Sequence, residues 1–251
     1  MLNQFFMSNF LKKLHTPVHQ SWNDFLTEDI VETLQKIENS TINVSQMYTP
    51  PIPRVLHFMT NNLDSAKVVI IGQDPYPQAG VATGRAFEVG TLKSWDATFR
   101  NVSLKNIIRS VYSAYEGEYI TYSLIKEKMR GNLFDSSFSL MPPDKLFKNW
   151  EKQGVLLLNT SFTCEIGKPG SHSKLWNNFT TALLSYVNDR NPDIIWFLWG
   201  NHAKNITSHL NMKNMFASNH PMICKEGESD FLFGKVNMFA ETKNRINWKG
   251  E

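Results

Sequence analysis

The sequence predicts an α/β fold: one domain built on a central, mostly parallel four-stranded sheet with helices on both faces. Three observations predict it. Short runs at Lys67–Ile71, Val155–Asn159 and Asp193–Gly200 carry the apolar, partly β-branched pattern of buried strands, and Asn214–Asn219 reads as a fourth strand. Segments of helical periodicity lie between them, and strand–helix alternation builds parallel sheets with crossover helices. Three of the runs also end in a polar residue (Asp74, Asn159 and His220), the first of them abruptly in Gly and two prolines, as strands do when they leave a sheet for a loop.

The elements follow in order. Ser21-Trp22-Asn23-Asp24 reads as a capped helix start, with Phe25, Ile30, Val31, Leu34 and Ile37 at helical spacing behind it. Tyr48–Pro53 carries three prolines and reads as an extended connection, followed by a helix through Val55, Leu56, Phe58 and Met59. After the first strand, Phe99–Tyr115 reads as a helix. Residues 116–147 carry few signals and are expected to be a variable, partly helical excursion within a domain spanning 1–251. Trp176–Val187 is expected to be helical between the second and third strands, and His202–Leu210 between the third and fourth.

Composition narrows the function classes. The chain has 251 residues, 41% of them hydrophobic and 20% charged, enough for a full core and unlike a disordered protein. Its longest apolar runs are too short to span a bilayer, so no membrane association is expected. Met1–Leu14 lacks the apolar core and cleavage site of a signal peptide. Two cysteines, Cys164 and Cys224, exclude a disulfide scaffold and any four-cysteine metal or iron–sulfur site. A reduced, cytoplasmic setting is expected (nuclear in a eukaryotic or viral host). The net charge of +3 permits a polyanionic partner without requiring one.

The candidate chemistry sits at the strand ends. Open α/β sheets bind ligands at the carboxyl ends of their strands. Asp74 follows the first strand, and Pro75-Tyr76-Pro77 behind it argues against a simple helix cap. Asn159 ends the second strand and His220 follows the fourth. An acid, an amide and an imidazole on one sheet edge are the parts of acid/base or electrostatic catalysis on a polar, planar substrate. Taken singly, each has a structural alternative as a cap or a packed side chain.

The motifs extend this. Gly72-Gln73-Asp74-Pro75-Tyr76, Gly84-Arg85-Ala86-Phe87, Ser103-Leu104-Lys105-Asn106-Ile107, Gly154-Val155-Leu156-Leu157-Leu158-Asn159, Gly170-Ser171-His172, Phe197-Leu198-Trp199-Gly200, His220-Pro221, Phe233-Gly234 and Ile246-Asn247-Trp248 occur in this order over nearly the whole chain. In this order they resemble the family 1 uracil-DNA glycosylases. The resemblance implies a monomer, without metal or cofactor, that flips uracil out of single- or double-stranded DNA and hydrolyses its N-glycosidic bond in base excision repair. It implies that Asp74 assists the attacking water and stabilises oxocarbenium charge. His220 would hydrogen-bond the departing base, and Asn159 would read the uracil edge against cytosine. Tyr76 would exclude the thymine methyl, Phe87 would stack on the base and Gln73 would wall the pocket. Ser103, Asn201, Met222, Ile223 and Cys224 would face DNA.

Departures from the family pattern set a competing expectation. Pro77 stands where most members carry His. Met222 replaces a serine, Cys224 stands where a DNA-wedging leucine is usual, Asn201 replaces a serine, and the loop from His220 to Phe233 is about two residues longer. Pro77 and this loop resemble the poxvirus members, in which the fold also serves replication. The alternative is therefore a DNA-binding, replication-accessory protein with reduced or no glycosylase activity. The wedge is expected first at Ile223, with Met222, Phe231 or Leu232 as substitutes. A basic DNA groove is also a target for a DNA-mimicking protein inhibitor.

Overall fold

The computed structural model describes residues 8–42, 47–131 and 138–250. Its centre is a four-stranded sheet in which strand β2 (Val68–Gly72) lies between β3 (Val155–Asn159) and β5 (Ile195–Trp199), with β6 (Asn214–Ser218) outermost beside β5. Every pairing is parallel, so the mostly parallel expectation resolves into an entirely parallel sheet among the described residues. The register Val68↔Val155 to Gly72↔Asn159 brings the ends of β2 and β3 level. A small antiparallel pair, β1 (Tyr48–Thr49) with β4 (Cys164–Glu165), was not signalled by the sequence.

Successive side chains of a strand point to opposite faces, and each face has its own core. Val68, Ile70, Val155, Leu157, Ile195 and Phe197 pack with helices α3 (Val102–Glu116), α5 (Pro143–Lys152) and α8 (Met238–Thr242). Val69, Ile71, Leu156, Leu158, Trp196 and Leu198 face α1 (Asn9–Lys12), α2 (Glu28–Ile42), α6 (Ser173–Arg190) and α7 (Gly200–Ile206). The chain leaves β2 toward the first face, and leaves β3 and β5 toward the second. Connections that part in this way open a crevice at the carboxyl end of the central strand.

Two of the expected helices take another form. The Ser21 hydroxyl accepts from the Leu63 amide at 2.9 Å, so it is not free to cap a helix. Gln20–Trp22 forms a single 3₁₀ turn instead, and α2 begins at Glu28-Asp29, acids suited to the positive end of a helix. The helix expected through Val55–Met59 is broken into 3₁₀ turns at Ile52–Arg54 and His57–Thr60, behind the prolines, although Val55, Leu56, Phe58 and Met59 are buried as the pattern implies. The 116–147 span holds helix α4 (Tyr122–Met129) and the start of α5; residues 132–137 lie outside the described residues. Among the described residues, no helix is long and apolar enough to cross a membrane.

Candidate active site

A cleft of about 200 Å³ opens at the carboxyl ends of β2 and β3. Its walls combine Gln73, Asp74 and Tyr76 from the loop after β2, Phe87 and Arg85 from the next turn, Asn159 from the end of β3, and His220 and Met222 after β6. Ser103 from the first turn of α3, Pro77 and Pro169 complete the rim.

Close backbone approach makes the cleft possible. A Cβ on Gly72 would collide with Asn159 Oδ1 and the Ala86 side chain, so only glycine lets the Asn159 amide lie across the β2 end. The next turn is tied back by the Thr160 and Ser161 amides, both donating to the Gln73 carbonyl. Gly200, at φ +83°, leaves room for His220, whose Cβ would stand 2.9 Å from an added methyl.

Asp74 is half-buried, and its Oδ1 is buried without a hydrogen-bond partner. Burial pushes its pKa above the ordinary carboxylate value, against the opposing pull of the Gly170 amide. This is an under-solvated carboxyl with an acceptor to spare. The pKa of His220 is lowered by burial, so the ring is neutral at neutral pH. Its Nδ1 accepts the Met222 amide at 3.1 Å, which leaves the proton on Nε2 as a donor. The Asn106 side chain donates to the Pro221 carbonyl at 2.7 Å and fixes the segment on α3.

Aromatic groups form the remaining wall. Phe87, at φ 65°, packs on Trp199 with ring centroids 5.0 Å apart and lies 6.2 Å from the His220 ring. The Tyr76 hydroxyl donates to the Phe87 carbonyl at 3.4 Å, and burial pushes its pKa up to about 12. A desolvated carboxylate, an imidazole N–H donor, a buried amide and a stacking ring suit one type of reaction. They favour breaking a bond that leaves positive charge on one fragment and negative charge on a planar heterocycle.

The model of the Uracil DNA glycosylase superfamily matches residues 58–236 of this chain. The chain belongs to that superfamily. Among curated relatives, the uracil-DNA glycosylase of Mesomycoplasma hyopneumoniae is 33% identical over 74% of this chain and 76% of its own length. Uracil-DNA glycosylase 1 of Listeria monocytogenes is 28% identical over 91% of this chain and 97% of its own. Among solved structures, the mimivirus uracil-DNA glycosylase superposes with a TM-score of 0.66 at 21% identity, covering 97% of this chain and 87% of that one. A variant of the mimivirus protein has been solved in complex with UGI.

Within this superfamily fold, Asp74, His220, Gln73, Tyr76, Phe87, Asn159, Ser103 and Met222 all meet at one cleft. Ile223 stands just outside it, 61% exposed, and Asn201 is exposed on the first turn of α7. Cys224 is half-buried against the core and donates weakly from Sγ to the Pro221 carbonyl. Phe231 and Leu232 are buried at 2% and 1% exposure, which removes both as wedge substitutes. The Asp230 carboxylate draws them in by accepting the amides of Lys225, Leu232 and Phe233. Sequence reasoning missed Asp230, and gave no role to Asn106 or Gly170 although both lie in the motifs it singled out. It also missed the charges behind Arg85, whose partner Glu151 lies 66 positions away.

Proposed function

We propose that this protein is a uracil-DNA glycosylase, hydrolysing the bond between uracil and deoxyribose and leaving an abasic site in DNA. The observation that carries this reading is the pairing of an under-solvated Asp74 carboxyl with the neutral, Nε2-protonated His220 in one cleft of the superfamily fold. Departure of the base places positive charge on the sugar, which Asp74 stabilises while its free acceptor orients the attacking water. Negative charge on the base is met by the His220 Nε2–H. The Asn159 carbonyl accepts from uracil N3–H and its amide donates to O4; cytosine offers the reverse pattern and leaves both groups unpaired. Tyr76 and Phe87 hold the ring and crowd its C5 edge.

Base flipping brings the uracil to these groups. Met222 and Ile223, 58% and 61% exposed at the cleft mouth, are the apolar side chains placed to fill the gap in the stack. Ser103 and Asn201 are assigned to the DNA backbone. A DNA-mimicking inhibitor is the further partner class, and the UGI complex of a mimivirus variant supports it. Release of uracil from a uracil-containing oligonucleotide, read by alkali cleavage beside thymine and cytosine controls, tests the activity. Intact strands at high enzyme concentration would sink it in favour of an accessory DNA-binding role.

A further inference from the structure

Phe87 presents its ring to the cleft from a backbone conformation that bulky side chains avoid. At φ 65° it is the one non-glycine residue with positive φ among the described residues. Such a conformation is strained and persists only where the surroundings over-determine it. Three ties hold this turn. The Ala86 amide donates to the Leu157 carbonyl of β3 at 3.3 Å, and the Tyr76 hydroxyl reaches the Phe87 carbonyl at 3.4 Å. Both are long. The third tie is ionic: Arg85 Nε donates to Glu151 of α5, and Arg85 Nη1 donates to Glu88 at 3.1 Å.

The charges are deeply placed. Side-chain exposure is 11% for Arg85, 4% for Glu88 and 6% for Glu151. Glu151 is itself fixed by His57 Nε2 at 3.2 Å and by the Asn61 amide at 3.0 Å. Buried ion pairs are poor sources of stability, because desolvation cancels most of their attraction. Their reliable yield is geometry: a planar guanidinium engages two carboxylates only in a fixed orientation. Here that orientation spans the residues on both sides of Ala86-Phe87 and anchors them to α5 and the 57–60 turn.

We propose that Arg85 is a positioning residue: through Glu88 and Glu151 it locks the strained Phe87 turn, so the stacking ring stands in place before the base arrives. Arg85 acts through Phe87 and not by contact with the reacting atoms. The inference rests on the glycosylase reading for its effect on substrate, but the state of the turn can be read without catalysis. A ring that must be ordered on each encounter weakens binding in the ground and transition states alike, which raises KM and spares kcat.

Arg85→Met alone would strand two buried carboxylates, so the informative variant removes the three charges together: Arg85→Met/Glu88→Gln/Glu151→Gln. In protein labelled with 4-fluorophenylalanine, the Phe87 resonance is identified by its loss in Phe87→Tyr. It should be a single sharp line in the wild type, and broadened or split in the neutralised variant. KM for a uracil oligonucleotide and the inhibition constant of free uracil should rise together by about tenfold, the scale of one aromatic stacking contact, with kcat within about threefold. Arg85→Lys, which serves one carboxylate at a time, should fall between. Adding Phe87→Ala to the neutralised variant should cost less than it costs the wild type. A sharp, unshifted Phe87 line with wild-type KM would overturn the proposal, as would fully additive effects of the two changes. A folded wild type that releases no uracil would sink the glycosylase reading instead, and the fluorine spectra would still decide the role of Arg85.

Discussion

Replacing Asp74 by Asn should separate chemistry from stability in opposite directions. The side chain keeps its shape and loses its charge. If the carboxylate stabilises a cationic sugar at roughly 4 Å in an environment of effective dielectric about 20, the interaction is worth about 4 kcal/mol. That corresponds to about a thousandfold in rate. Single-turnover release of uracil under enzyme excess should fall by this order, while the affinity for an uncleavable uracil duplex stays near wild type. Stability should move the other way. Burial raises the Asp74 pKa in the folded state, so ionisation opposes folding. The sign follows: below the unfolded pKa the carboxyl is protonated in both states and costs nothing. As pH rises through the folded pKa the charge forms and stability is lost. The Asn variant should therefore melt with the wild type in acid and above it at neutral pH. A variant with near-wild-type turnover would remove Asp74 from the mechanism. A melting point below wild type at neutral pH would refute the desolvation argument.

Four further outcomes are expected. Asn159→Asp should permit some cytosine release in the oligonucleotide assay, because a carboxyl no longer presents the amide donor; unchanged discrimination would make Asn159 a structural cap. Gly200→Ala should lower both activity and thermal midpoint, by about 1–3 kcal/mol of stability, since the new methyl meets His220 Cβ from a backbone at φ +83°. The His220 ring should stay neutral with its proton on Nε2 until the pH falls below the ordinary histidine range, read by nitrogen-15 shifts. Ile223→Ala, and Met222→Ala beside it, should slow uracil release from duplex DNA far more than from single strands. Equal effects on both substrates would place the wedge elsewhere.

The strands and their terminal groups were legible in the sequence because both are local signals. Short β-branched runs bounded by turn residues favour buried strands, and in a parallel sheet the strand ends bring Asp74, Asn159 and His220 to one edge. What failed to show was non-local. Ser21 reads as a helix cap until its hydroxyl is found on Leu63, 42 positions away. Helix α5 begins in a stretch read as a variable excursion, yet its Leu146, Phe147 and Trp150 are buried core. Gly72 carried a faint signal, since a glycine closing a strand often marks a close backbone approach. Nothing in the order of residues pointed to Glu151 behind Arg85, or to Asp230 as the organiser of the loop after His220.

That loop shows how the residues after His220 can vary without loss of the cleft. His220 is held by contacts that do not depend on which side chains follow it. Its Nδ1 takes the backbone amide of Met222, the Asn106 side chain takes the Pro221 carbonyl, and Gly200 supplies the space beneath the ring. Beyond Pro221, Asp230 gathers three backbone amides and closes a segment whose outward side chains bear little of its structure. The outward side chains Met222 and Ile223 can therefore vary at the exposed tip, while the imidazole remains in register with Asp74 and Asn159. Changes at the tip should retune how duplex DNA is opened. Changes at Asn106 or Gly200 reach the chemistry itself, although neither residue lines the cleft.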